Sequence, residues 1–567
     1  MSTPVLEGSE FLINTTTLNE QWSPAVAGLA NGQFVAVWAD ASKTGGDTSN
    51  AAVHLQRFDA RGVAIGGEVL VNTTTSGNQL YPTLTVLSDG RFVVAWTDSS
   101  YSSDHPSNDA TRAQIFNADG SKAGAEFLVQ TDLSGAKTQQ TITALKDGGF
   151  VVAWTAMGQT SGSDLSDTAI RAQIFNADGS KRGAEFVAPT TTDGYQEEPS
   201  VTTLADGRFV LSWSDYSETG GDQDGYAVRA QVFNADGSRS GSEFLVNTTT
   251  GSDQDYSSIT GLTDGRFVVV WHDDSATGGD TSLGAVRGQI FNPDGSKSGV
   301  EFLANTTTGD EQTRPSVEAL TEGRFVVAWY DDSGGGDIRL QVFAADGTAL
   351  GDELLVSSTE VLQHYAPSIT ALADGRFVVA WSDQSAAVGD TSIWDARGKI
   401  FDPRTEAIQL TGTARGDDQL GTGFADRMSG VGGNDSLDGA GGNDALFGGA
   451  GGDRLLGDGG QDKVNGGKGK DSLTGGSGAD DFIFSSKAEA TGDRIMDFRH
   501  KVDDINLQGF MKGGEFIGGR AFTKDDDQVR YVKATGLLQG DVNGDGRADW
   551  SLTIGNKVML TAADFIF

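Results

Sequence analysis

No cysteine occurs among the 567 residues, so disulfides, thiolate nucleophiles and cysteine metal clusters are excluded. Proline is scarce, with 10 residues, and there are only 5 histidines. None of these (His54, His105, His272, His364, His500) stands in a His-Glu-x-x-His pattern, which excludes zinc proteolysis by that mechanism. No apolar run approaches the length of a membrane-spanning helix. The opening residues MSTPVLEGSE show no basic stretch followed by an apolar one. Positive charge is also in short supply: 41 Lys and Arg against 79 Asp and Glu give a formal charge of −38. Such an excess repels nucleic acid and anionic membranes, and it opposes compaction unless cations neutralise it. The composition predicts a soluble chain with no nucleic-acid partner, no transmembrane segment and no N-terminal secretory route.

Glycine, by contrast, is abundant at 79 residues, and the chain is organised by repetition. A Phe-Val-x-x-Trp segment ends at Trp38, Trp96, Trp154, Trp213, Trp271, Trp329 and Trp381, with spacings of 58, 58, 59, 58, 58 and 52. Around each tryptophan the same order recurs. A segment such as SITAL turns through Asp-Gly into RFVVAW, a long polar connection follows, then RAQIF, the turn NADGS, and EFLVN. β-Branched and aromatic residues fill the strands, while Gly, Asp, Asn and Ser fill the joins. Four short strands written seven times predict an all-β fold, a seven-bladed β-propeller over residues 1–404. A linear array of β-sandwiches is the structural alternative. The strand EFLIN (Glu10–Asn14) precedes the first repeat, and the seventh repeat lacks its own EFLVN. The N-terminal strand is therefore expected to complete the last blade, with residue 12 placed near Ile400, and to remove an exposed sheet edge.

One tryptophan per blade in one register reads as packing between blades. Six copies place an aspartate two residues beyond the tryptophan: Asp40, Asp98, Asp215, Asp273, Asp331 and Asp383; Ala156 interrupts the set. These acids open variable loops at one end of the propeller, where binding residues often lie. Two readings stay open, a ring of ligand-binding carboxylates and loop initiation by side chains bonded to their own backbone. The NTTT segments at Asn14, Asn72, Asn247 and Asn305 match a glycosylation acceptor, but their recurrence as blade connections explains them sufficiently.

After the propeller the period changes to nine. Asp435, Asp444, Asp453, Asp462, Asp471 and Asp480 are equally spaced, each with glycines two and five residues before it. Leu437, Leu446, Leu455, Val464, Leu473 and Phe482 follow two residues after. Asp418 and Asp426 read as decayed upstream copies. Glycine permits tight turns and close carbonyl approach, and aspartate supplies the hard oxygen that Ca2+ prefers. Each aliphatic starts a very short inward-facing strand. Two nine-residue halves make one coil, so aspartates stack and repel until calcium sits between them.

These repeats resemble those of RTX proteins exported by bacterial type I secretion. The segments DFIFSSKAEATGDRIMDF, GGRAFT, VRYVKATGLLQGDVNGDGRADWSLTI and LTAADFIF resemble the C-terminal domain of serralysin-type proteases. The resemblance implies a parallel calcium-binding β-roll over 411–484 and a β-sandwich-like cap over 485–567. It also implies a type I exporter as partner, an export signal ending at Asp564-Phe565-Ile566-Phe567, and an extracellular destination. Within the cap, Asp541, Asn543, Asp545 and Asp549 around Gly546 resemble the first part of an EF-hand loop, without its late glutamate. A plain Asp- and Gly-rich hairpin is the competing reading.

Two functions fit the whole: a secreted calcium-binding protein whose propeller binds glycan or cell-surface ligands, or an extracellular hydrolase of glycosidase, lactonase or phosphatase type. A catalytic site should break the sevenfold symmetry, and His272–Ser275, Tyr330–Ser333 and Trp394-Asp395 do so, without a convincing nucleophile–base set.

Overall fold

The computed structural model describes residues 5–47, 50–100, 109–132, 135–158, 168–281, 283–357, 364–384 and 394–567. The chain divides into two compact units, the first made of the residues up to Leu29 and of Phe34–Pro403, the second of Ala30–Gln33 and Arg404–Phe567.

The first unit is a seven-bladed propeller of four-stranded antiparallel sheets. Blade 1 comprises Gln21–Gly28, Phe34–Asp40, Ala52–Phe58 and Ala64–Leu70, and the order repeats in every blade. The first strands of consecutive blades touch around the ring, and that of blade 7 (His364–Ala371) meets that of blade 1. The fourth strand of blade 7 is the N-terminal segment Val5–Leu12, antiparallel to Asp395–Asp402. In its register Leu12 faces Arg397, while Ile400 faces Glu7. The neighbour of residue 12 is thus three residues from Ile400, and the register shifts at a bulge between Glu7 and Phe11.

Seven apolar clusters join adjacent blades, one per seam, and each contains one tryptophan. Trp213, for example, is fully buried among Val151, Ile174 and Ala188 of blade 3 and Phe209 and Leu211 of its own blade. The ring is thus held by apolar area removed from water at every seam. All seven indole N–H groups are buried without a hydrogen-bond partner, so the tryptophans act through packing alone.

The second unit is a parallel roll whose coils are 18 residues long. One sheet pairs Gln409 with Arg427, Arg427 with Ala445, Ala445 with Lys463 and Lys463 with Asp481. The other pairs Asp418 with Ser436, Ser436 with Arg454 and Arg454 with Ser472. Between them Met428, Leu437, Leu446, Leu455, Val464, Leu473 and Phe482 form one fully buried column. Both sheets continue into the cap. Asp504–Asn506 and Phe565–Ile566 extend one, while Trp550–Ile554, Leu537–Asp541 and Gln528–Val532 extend the other. Roll and cap share one core.

Candidate functional sites: an aspartate column and a propeller mouth

Each nonapeptide aspartate lies just before a short strand, and its Oδ1 accepts the backbone N–H of the aspartate one coil earlier. Asp435, Asp453 and Asp471 serve Asp417, Asp435 and Asp453 at 2.8–2.9 Å. Asp444, Asp462 and Asp480 serve Asp426, Asp444 and Asp462 at 2.8–3.1 Å. Two aspartate columns result, one at each edge of the roll. The Oδ2 atoms of Asp435, Asp444, Asp453, Asp462 and Asp471 are buried with no hydrogen-bond partner. Burying a carboxylate oxygen without a partner is costly, so their recurrence fits a cation-binding role.

The glycines five residues earlier define the space those oxygens face. A methyl group on Gly448 would collide with Asp453 Oδ2 and the carbonyl of Gly466, and one on Gly457 with Asp462 Oδ2 and the carbonyl of Gly475. The slot is therefore lined by one carboxylate and one carbonyl oxygen, hard donors of the type Ca2+ takes. Burial, reinforced by carboxylates of the same column, raises Asp444 to about 7 and Asp453 and Asp462 to about 6. The glycines two residues earlier serve the backbone instead: at Gly442, φ is 124°, and a side chain would strike the carbonyl of Phe424.

Three sequence assignments change in detail. Asp418 pairs with Ser436, so the residue at the column position is Asp417, whose N–H binds Asp435. Asp426 has its Oδ2 occupied by the N–H and hydroxyl of Thr422. At Asp480, Oδ2 pairs with Arg499 at 3.1 Å, so a cation there meets a resident guanidinium. The columns also continue where the nine-residue period ends. Asp493 accepts from Asp471 N–H and has its own unpartnered Oδ2, and Asp503 accepts from Asp480 N–H. In the cap, Asp541 accepts from Gly544 and Gly546 N–H, Asn543 from Asp545, and Asp545 from Arg547. Asp549 accepts from Val542 N–H and from Asn543 Nδ2. This loop spends those oxygens on closing its own turn.

In the propeller, the six loop-opening aspartates are buried at the ends of the second strands. Asp98 accepts from Arg112 Nε at 2.6 Å, from Gln79 at 3.3 Å and from Ser100 N–H at 3.0 Å. Asp215, Asp273 and Asp331 have the equivalent arginine and glutamine; Asp383 pairs with Arg397 and His364, and Asp40 takes Gln21 and Ser42 N–H. The ligand-facing ring expected of them is not what the geometry presents. Five of them face an arginine of the third strand, which needs a counter-ion there, and Asp40 faces His54. Asn14, Asn72, Asn247 and Asn305 are equally buried.

A different ring lies on the same face. The third residue of each first strand is left-handed, with φ of 49–57°: Ser23, Tyr81, Gln139, Glu198, Tyr256, Arg314 and Ala366. Non-glycine residues in this region are uncommon and strained, and such strain clusters at functional sites. The seven positions carry six different residue types, tyrosine twice, so the ring breaks the symmetry of the blades. Two cavities meet at Arg314 and Ala366. One, of about 360 Å³, is lined by Glu20, Trp22, Tyr365, Ser382 and Trp394. The other, of about 310 Å³, is lined by Gln139, Gln140, Glu198, Tyr256 and Ser257. Tyr365 stacks on Tyr330 at 5.0 Å and leans on Trp394 at 5.4 Å. Arg314 lies over the Tyr256 ring at 4.8 Å. Glu198 accepts from Ser214 at 3.1 Å and from Tyr256 N–H at 3.2 Å; burial, with Asp255 nearby, raises it to about 7. Burial alone would depress His272, but Asp255 at 2.8 Å and Asp274 at 3.2 Å outweigh it and raise the imidazole to about 10. Loop residues 101–108, 159–167 and 385–393, with His105, lie outside the described residues.

No curated protein matches the chain. A solved protein of unknown function from Dyadobacter fermentans has a TM-score of 0.41 at 13% identity, covering 71% of this chain and 99% of its own. An α-L-arabinanase from Penicillium chrysogenum has 0.41 at 15%, covering 61% and 100%. The α-L-arabinofuranosidase Arb93A from Fusarium graminearum has 0.41 at 14%, covering 57% and 93%. Similarity this low carries no functional inference. Residues 420–455 and 456–484, in contrast, match the RTX calcium-binding nonapeptide repeat, in 4 copies. With the stacked aspartates and oxygen-lined slots around them, the C-terminal region of this chain is a roll of RTX calcium-binding repeats.

Proposed function

We propose that this is a secreted, calcium-loaded protein whose propeller mouth binds a carbohydrate. Calcium is held by the Oδ2 atoms of Asp435, Asp444, Asp453, Asp462 and Asp471 and by their facing glycine carbonyls, with Asp493 extending one column. The observation carrying the propeller reading is the strained, non-identical ring from Ser23 to Ala366. It sets an aromatic wall of Tyr365 and Trp394 beside the polar group of Glu198 and Arg314. Sugar rings offer an apolar face and hydroxyls together, which such a mouth matches. The route out of the cell is a type I exporter reading the C-terminal residues. A glycan array probed with the calcium-loaded chain tests the binding: Trp394→Ala and Arg314→Ala should each abolish the signal. An array with no ligand, or one unaffected by both changes, rejects the mouth as the site.

One observation favours a hydrolase as the second reading. Glu198, raised to about 7 close to Asp255, can hold a proton at neutral pH as a general acid must. On any glycan the array identifies, Glu198→Gln should then stop turnover while binding persists. Binding without turnover in the unaltered protein leaves the lectin-like reading alone.

A further inference from the structure

Six blades place an arginine opposite the seam tryptophan: Arg112, Arg171, Arg229, Arg287, Arg339 and Arg397. That arginine reaches the glutamate of the fourth strand, as Arg112 reaches Glu126 at 3.2 Å and Arg229 reaches Glu243 at 3.4 Å. Where the second strand ends in aspartate, it binds that carboxylate too. Blade 1 keeps both acids, Asp40 and Glu68, but puts His54 opposite Trp38. Imidazole is shorter than guanidinium and does not close the gap. His54 Nδ1 stands 3.6 Å from Asp40 Oδ2 and 3.6 Å from Glu68 Oε2. His54 and Asp40 are each only 2% exposed, and Nδ1 and Asp40 Oδ2 are both buried without a hydrogen-bond partner. One ligand atom from each of the three side chains lies within 4.8 Å of the others.

A separation of 3.6 Å is too long for a hydrogen bond, which closes at roughly 2.7–3.2 Å. It is close to the spacing of about 3.4 Å between two ligands of a tetrahedral ion bound at roughly 2.0–2.1 Å. We propose that Asp40, His54 and Glu68 bind one divalent transition ion of the Zn2+ class, which replaces the arginine of the other blades. One imidazole and two carboxylates suit such an ion, whereas Ca2+ takes oxygen ligands, so this site is chemically distinct from the roll. Its position gives it a task. Glu68 also accepts from the N–H groups of Thr15 and Thr16 and from the Thr16 hydroxyl, just past the strand that closes the ring. The ion would thereby tie blade 1 to the closing segment at the only seam formed by the two distant ends of the propeller sequence.

The test uses the full chain in saturating Ca2+, so that oxygen sites are filled. After loading with Zn2+ and gel filtration, the unaltered protein should retain one Zn2+ per chain. Asp40→Asn and His54→Arg should retain none. His54→Arg restores the residue used by six blades, so it should stay folded and show no thermal shift with Zn2+, whereas the unaltered propeller should melt higher. Should that variant fail to fold, Co2+ absorption of the unaltered chain against His54→Gln decides instead: a nitrogen-ligated band is expected in the first and absent in the second. Failure of the unaltered chain to retain Zn2+, equal retention in the variants, or a Co2+ band that survives His54→Gln overturns the proposal.

Discussion

Replacing Gly457 by alanine separates a calcium cradle from an ordinary glycine turn. Gly457 does not occupy the left-handed region, so alanine is conformationally allowed there. On chain entropy alone, Gly→Ala at such a position stabilises by about 0.4–1 kcal/mol. The structure predicts the opposite sign. The added methyl would meet Asp462 Oδ2 and the carbonyl of Gly475, the two oxygens assigned to the cation. Forcing an extra methyl into a filled site costs about 1–3 kcal/mol. Expressed as affinity, that is roughly a 5- to 150-fold rise in the calcium midpoint, at about 1.4 kcal/mol per tenfold. Calcium titration of the full chain, followed by circular dichroism or calorimetry, measures it. Gly459→Ala is the control, because its methyl would meet only Ala440 O and Ser477 Oγ, both at 3.7 Å. The control should leave the midpoint within a few-fold. A Gly457→Ala protein that binds calcium as well as, or better than, the unaltered chain would refute the cradle.

Other consequences can be measured separately. Trp213→Ala should destabilise the propeller by about 3–5 kcal/mol in urea, with no hydrogen-bond contribution because the indole N–H has no partner. Leu12→Cys with Arg397→Cys should form an intramolecular disulfide, and a Leu12→Cys/Ile400→Cys pair should not, since Leu12 faces Arg397. Folding raises the His272 pKa from the ordinary imidazole value of about 6.5 to about 10, so its contribution is complete below about pH 6.5 and is lost as pH rises through 10. Urea midpoints should accordingly fall across that window, and His272→Gln should flatten the fall.

Much of this architecture is legible in the sequence because two periods each carry a physical meaning. Seven Phe-Val-x-x-Trp segments can bury their indoles only against a neighbouring copy, and a nine-residue Gly-Asp-Leu beat alternates a turn, an oxygen and a core residue. Local detail is less legible. Asp417 and Asp418 are adjacent, and only the 18-residue pairing tells which N–H reaches Asp435. Asp493 and Asp503 follow the short helix Lys487–Ala490, whose insertion lengthens the coil offsets to 22 and 23 residues and hides the period. The acids Asp40 to Asp383 are conspicuous as a series, but their partners lie on another strand, as Arg112 does for Asp98. The mouth ring is least visible. Ser23, Tyr81, Gln139, Glu198, Tyr256, Arg314 and Ala366 have no one residue type in common, and their left-handed backbone arises from the bulge in each first strand.

The calcium dependence of the roll can be read directly by hydrogen–deuterium exchange on the full chain, with Ca2+ and in excess chelator. With calcium, the amides of 417–495 should be protected. In chelator that protection should collapse while the tryptophan-bearing strands of the propeller keep theirs, because the roll stacks buried carboxylate oxygens without partners and those strands are held by apolar seams. Equal protection of 417–495 in both conditions would contradict the account.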